Sequence, residues 1–148
     1  LEKELSLKTF IMTTGSKGYH VVIPIIRTAT FKETKEFSED IAVLLHLRHP
    51  DFYTREKIIS KRKEKVFLDY LRNEYGQMSV APYSLRAKDK PAIAMPIYWK
   101  DLDDTDPDAF TVDNYSLRKK PWKDYSSTRQ SIKKPAEKIK KLINKEKS

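Results

Sequence analysis

The stretch Thr13-Thr14-Gly15-Ser16-Lys17-Gly18-Tyr19-His20 gathers hydrogen-bond donors and contains no acidic residue. Two glycines let a backbone come close to a ligand and leave amide hydrogens to point at it. Lysine adds a compact charge, and histidine adds a donor whose state depends on pH and tautomer. That set suits a phosphate chain. It is not a Walker A loop, because Gly15 does not stand five residues before a Gly-Lys-Ser/Thr. The same residue types also punctuate ordinary hairpins, so the stretch alone admits both readings.

Asp69 is the second residue with chemistry to offer. It sits inside Val66-Phe67-Leu68-Asp69-Tyr70, a short apolar and aromatic run that predicts a buried strand. A carboxylate there is costly unless it is paired or holds a metal. It either pairs with Arg62, Arg72 or Arg86, or serves as a metal ligand at a strand end. The second reading is favoured, because unusual buried carboxylates mark sites. Arg86 could also grip a phosphate bidentately, as lysine cannot. The acidic run at 101–108 contains Asp-x-Asp spacings, which two-metal enzymes place on strands. It is punctuated by proline and lacks apolar flanks, so it reads as a loop and helix-capping region. His46 and His49 have no third ligand nearby and do not make a metal site.

The elements that must position these residues follow from apolar spacing. Residues 8–12 and 19–26 predict strands on either side of the donor turn. Residues 34–47 predict a helix with Phe37, Ile41, Leu44 and Leu45 on one side, stopped by His49-Pro50. Residues 54–60 and 114–118 predict short helices, and 97–102 a short helix or turn. Residues 130–147 predict an amphipathic basic helix with Ile132, Ala136, Ile139 and Ile143 on one stripe and Pro135 near its start. Residues 1–7 read as the end of a helix with no capping residue ahead of it, so the chain reads as beginning inside something larger. The expected fold class is α+β: a mixed or antiparallel sheet carrying the donor turn and Asp69, with flanking helices.

A chain of 148 residues with 39% apolar content supports one domain, or part of one. No apolar run reaches the length of a membrane span, and the start lacks a signal-peptide pattern. Without cysteine there is neither a disulfide framework nor a thiolate metal site, so a cytoplasmic location is expected. The net charge of +9 is unevenly spread. Residues 1–117 hold 18 Lys and Arg against 18 Asp and Glu, whereas residues 118–148 hold 12 against 3. A basic end segment attracts nucleic-acid phosphates or an anionic surface, or simply presents a solvated face.

Three stretches together resemble a known family. Thr14-Gly15-Ser16-Lys17-Gly18-Tyr19-His20 resembles the Ser-Gly-x-x-Gly-x-His motif of archaeo-eukaryotic primases. Val66-Phe67-Leu68-Asp69-Tyr70-Leu71-Arg72-Asn73 and Ala81-Pro82-Tyr83-Ser84-Leu85-Arg86 are similar to the polymerase domain of bacterial and archaeal DNA ligase D, and Pro121-Trp122 with Arg129-Gln130-Ser131 to its closing segment. The resemblance covers residues 1–132 and leaves 133–148 as a basic tail helix.

The resemblance implies a nucleotidyltransferase that extends primers at DNA ends during end joining, with two Mn²⁺ or Mg²⁺ ions held by three aspartates. It places Thr14, Gly15, Ser16, Lys17 and His20 at the incoming triphosphate, with Arg62 and Arg86 as basic residues nearby. Asp69 matches the third metal aspartate. Arg72 stands where some members have glutamine. The family's first two metal aspartates form an upstream Asp-x-Asp that has no counterpart here, so the chain resembles the second half of the domain and is expected to be inactive or incomplete alone. Implied partners are a nucleoside triphosphate, DNA as primer-template or broken end, the upstream half, a DNA ligase and an end-binding protein, with no membrane. The alternative is a non-catalytic basic nucleic-acid-binding module, using Trp122, Tyr125 and the tail lysines, or a structural part of a split polymerase.

Overall fold

The computed structural model describes residues 1–87, 91–116 and 120–148. The chain divides into two compact units, Leu1–Ile25 with Ser79–Gln130, and Ile26–Met78 with Ser131–Ser148. The secondary structure is α+β, as expected.

The first unit opens with a single turn of helix, α1 (Glu2–Leu5), and is built on a three-stranded antiparallel sheet. Strand β1 (Phe10–Thr13) is the middle strand and is buried along its whole length. A strand covered on both faces is expected to read as an unbroken apolar run, and Phe10-Ile11-Met12 does. Strand β2 (Tyr19–Val22) pairs with it from Phe10 opposite Val22 to Thr13 opposite Tyr19. It stops before Ile23, because Pro24 cannot donate to a ladder. A separate antiparallel pair, β5 (Leu85–Arg86) and β6 (Ala92–Ile93), precedes β7 (Pro96–Ile97), which closes the other edge of β1. The segment expected as a helix or turn at 97–102 is a 3₁₀ turn over Trp99–Asp101. Of the short helix expected at 114–118, residues 114–116 show no helix and 117–118 lie outside the described residues.

Near the chain's end, Trp122 and Tyr125 fold back onto this sheet. Their rings stack with centroids 4.9 Å apart, and Phe10 meets both edge-on. The Trp122 indole N–H donates to the Ile11 carbonyl at 2.9 Å. Gln130 ties the same region down by accepting from the Lys8 amide at 2.6 Å and donating to the Lys8 carbonyl at 2.9 Å.

The second unit rests on two helices, α2 (Phe31–Arg48) and α3 (Lys133–Lys147), packed on each other. Helix α2 starts three residues earlier than its apolar spacing indicates. Thr30 and Glu33 form a capping box: the Glu33 amide donates to Thr30 Oγ1 at 3.2 Å, and the Thr30 amide donates to Glu33 Oε2 at 2.7 Å. Helix α3 buries Pro135, Ile139 and Ile143, and Ile132 is buried just ahead of it. Pro135 lies in the first turn, where no intrahelical donor is lost. A two-stranded parallel sheet completes the unit, β3 (Tyr53–Thr54) with β4 (Val66–Phe67). The helix expected at 54–60 does not form. Its place is taken by β3, an extended stretch and a 3₁₀ turn over Ile59–Lys61.

One part of the expected sheet is therefore corrected. The donor turn and Asp69 do not share a sheet: the turn joins β1 to β2, and Asp69 follows β4 in the separate parallel pair. The reason is length. Strand β4 makes two ladder positions and leaves after the Leu68 amide donates to the Thr54 carbonyl at 2.9 Å.

Candidate functional site

The donor turn springs from a locked strand. Thr13 is fully buried, its amide donates to the Met95 carbonyl at 2.9 Å, and its hydroxyl accepts from the Met95 amide at 3.0 Å. Thr14 then closes the loop on itself. Its amide and its hydroxyl both donate to the Gly18 carbonyl, at 3.0 and 2.8 Å. Gly15 follows with φ +62°, a left-handed conformation that side chains resist. Its amide is not free for a ligand, because it donates to the Pro107 carbonyl at 2.9 Å.

Gly15 also explains how Arg86 comes to this loop. A Cβ at position 15 would stand 2.8 Å from Arg86 Cγ, 3.0 Å from the Ala92 carbonyl oxygen and 3.1 Å from the Ile93 carbonyl carbon. The absent side chain lets the β5–β6 pair press onto the turn and lays the Arg86 stem across it. Arg86 is half-buried, and its guanidinium makes no hydrogen bond or ion pair among the described residues. Lys17 at the tip is exposed and likewise makes no ion pair among the described residues. Two cations of the first unit thus lack a counter-charge among the described residues.

The acidic run at 101–108 does form a loop, and it does something its composition did not reveal: it braces the donor turn. Pro107 takes the Gly15 amide, and the Tyr19 hydroxyl donates to the Thr105 carbonyl at 2.5 Å. The Tyr19 phenol is held above its ordinary range, first by desolvation and then by the negative charges of Asp106 and Asp108. No apolar periodicity marks such a loop, so only long-range backbone pairing could show the contact.

His20 stands opposite Met12 in the β1–β2 ladder and faces a different hollow, of about 680 Å³. Met12, Val22 and Tyr83 line it with His20, and Trp122, Tyr125, Lys120 and Lys123 form another wall. Within that lining Trp122 and Tyr125 stack on each other.

The second unit holds the other three candidates. The expected burial of the strand around Asp69 is overturned. Val66 is 61% exposed, and the Asp69 side chain is 44% exposed. Only Tyr70 of that run is buried, under the Arg55 guanidinium 5.6 Å from its ring centre. The run pairs along one edge over two ladder positions, and its Phe67 ring is covered by the Arg62 guanidinium while Val66 and Asp69 stay exposed. Asp69 Oδ1 accepts from the Leu71 amide at 3.1 Å and so starts the 3₁₀ turn Leu71–Asn73, while Oδ2 lies 4.0 Å from Arg72 Nε. Arg72 also reaches Gln77 Oε1, at 3.4 Å. Arg62 is spent on local structure. It donates to the Glu56 and Lys57 carbonyls, both at 3.0 Å, and its guanidinium lies 3.9 Å over the Phe67 ring.

Among the described residues no group of three or more His, Asp or Glu side chains could hold a metal ion. His46 uses Nδ1 on the Tyr53 carbonyl at 2.9 Å. Asp69, with one oxygen already on a backbone amide, offers a single carboxylate. A divalent ion does not fit these residues by themselves.

The chain is thus an α+β protein whose antiparallel sheet carries a donor-rich glycine turn. The family described as LigD, primase-polymerase domain, matches residues 1–125. The chain belongs to that family. It is 32% identical over 140 residues to the multifunctional non-homologous end joining protein LigD of Pseudomonas aeruginosa, covering 87% of this chain and 16% of that protein. It is 35% identical over 101 residues to the bifunctional non-homologous end joining protein LigD of Bacillus subtilis, covering 67% of this chain and 16% of that protein. The polymerase domain of Mycobacterium tuberculosis ligase D, solved in complex with DNA, superposes with a TM-score of 0.66 at 33% identity, over 70% of this chain and 36% of that one. The chain thus spans about a sixth of the length of these curated relatives. No helix among the described residues is long and apolar enough to cross a membrane.

Proposed function

We propose that this chain is the triphosphate-holding part of a LigD-type polymerase that extends a primer at DNA ends in non-homologous end joining. One observation carries the reading: Gly15 is kept free of a side chain where Arg86 crosses the donor turn, and that arginine has no internal partner among the described residues. Lys17 and Arg86, with Ser16 beside them, hold the nucleotide's phosphates; His20 lines a hollow that neither of them borders, so its assignment to the phosphates rests on the family motif. Charge placed in advance where a phosphate chain will sit is the main contribution a protein makes to phosphoryl transfer. The reaction is in-line attack of a primer 3′-hydroxyl on the α-phosphate, with pyrophosphate leaving.

Asp69 would give a Mn²⁺ or Mg²⁺ ion one carboxylate, and the remaining ligands would come from residues other than those described. On this reading the chain alone binds nucleotide without extending a primer. Arg62 and Arg72 would reach the nucleotide only by leaving the local partners that each holds.

A fluorescent ATP analogue titrated into the chain tests the reading. Lys17→Ala and Arg86→Ala should each weaken binding by about tenfold, near 1.4 kcal/mol. Unchanged affinity in both variants would refute the triphosphate assignment. The rival, a binding module without catalysis, is favoured by the exposed position of Asp69. It would be selected if DNA, but not the analogue, raised the melting temperature.

A further inference from the structure

Helix α3 lies beyond the residues that match the family, 1–125. It turns Pro135, Ile139 and Ile143 inward. At about 100° per residue, Lys134, Lys138, Lys141 and Lys145 then fall within an arc of about 60° on the side turned away from those residues. All four are exposed, and none makes an ion pair among the described residues. The two acidic residues of the helix offset them only in part. Glu146 is committed to Arg48 at 2.7 Å, and Glu137 makes no ion pair among the described residues.

Four like charges at spacings of three and four residues repel one another by a few tenths of a kcal/mol per pair. A face that only needs solubility does better with both signs interspersed. From Lys134 to Lys145 the stripe runs about 16 Å, which matches about five phosphate steps along one DNA strand. The residues before 118 are electrically neutral, so the excess is local to the tail.

We propose that this lysine stripe on α3 is a docking rail for a nucleic-acid phosphate backbone, read without sequence preference. It does not depend on the function assigned to the nucleotide loop.

The test measures anisotropy of a labelled DNA single strand and of its duplex, titrated with the full chain between about 50 and 200 mM salt. The variant carries Lys134→Gln, Lys138→Gln, Lys141→Gln and Lys145→Gln, which keep helix propensity close to lysine's. Affinity at low salt should fall at least tenfold. The slope of log affinity against log salt should become shallower by about 2 to 4, at about 0.7 to 0.9 per lost phosphate contact. Binding of the ATP analogue should not change. If circular dichroism shows lost helix, the double variant Lys138→Gln/Lys141→Gln takes its place, with about half the change in slope. The proposal is overturned by an unchanged slope. It is also overturned by an equal loss in the off-stripe variant Lys133→Gln/Lys140→Gln/Lys147→Gln, or by binding to phosphatidylserine vesicles that DNA does not compete away. Failure of the analogue to bind the parent chain, with the slope change intact, would sink the nucleotide reading and leave this one standing.

Discussion

The donor turn and the Asp69 segment carry the two halves of the expected chemistry, and they are held in opposite ways. The turn hangs from a strand buried along its full length and is gripped by Pro107, by the Ala92-Ile93 backbone and by the Arg86 stem. Asp69 follows a two-residue strand, sits half exposed, and is fixed by one backbone hydrogen bond and a long contact to Arg72. A phosphate site built from scattered donors must be rigid before the ligand arrives, since each donor gains little alone. A single carboxylate waiting for further ligands has no such support to lean on.

Gly15→Ala should break the contrast most strongly. It forces a side chain into left-handed backbone and into two carbonyl groups that cannot swing aside, at a cost of about 1–3 kcal/mol. A urea melt should show that loss together with loss of ATP-analogue binding. A variant as stable as the parent would mean the turn is not gripped at all. Thr13→Val comes next, because it leaves the Met95 amide without its hydroxyl acceptor in a fully buried place, at about 1–2 kcal/mol by the same melt. Asp69→Ala should do less to the fold, about 0.5–1 kcal/mol, since it loses only an exposed cap on the 3₁₀ turn. In a complete polymerase domain the same change should abolish primer extension. Near-normal extension would remove Asp69 from the site.

The smallest effect concerns pH. Asp40 on α2 has its carboxyl held above the ordinary range by burial, with Lys140 and Arg55 pulling it back and Glu39 and Glu36 pushing it up. The folded state then holds that proton more tightly than the unfolded chain does. Stability from this group is present below its ordinary value and is lost as pH rises through the raised one. Asp40→Asn should flatten that decline in denaturant midpoints measured from about pH 3 to 7. Glu33 runs the other way. The Thr30 amide and hydroxyl hold it below its ordinary value, so its contribution appears as pH rises and is lost on acidification through the lowered value.

How much of this was legible in residues depended on how local the cause was. The strands around the donor turn, the two long helices and the stripe of Ile132, Ile139 and Ile143 follow from spacing alone, because one buried face imposes its period on the chain. The start of α2 was also written in the sequence, as Thr30-x-x-Glu33, but in hydrogen bonds and not in apolar spacing. The burial of Asp69 was misread for a physical reason. An apolar run reads as a buried strand only if something covers both of its faces, and the run itself does not say what its neighbours are.

By itself the sequence determined that a turn rich in donors lies within residues 13–20 between two strands, that the tail is a basic helix with one apolar face, and that the chain resembles the LigD polymerase family. Those are properties of neighbours along the chain, set by backbone preference and period. Tertiary structure decided that Arg86 lies on Gly15, that Pro107 takes the amide a ligand was expected to use, and that Asp69 stands in the open. Each of those depends on which distant segment fills the space beside a residue, and packing settles that only when the whole unit closes.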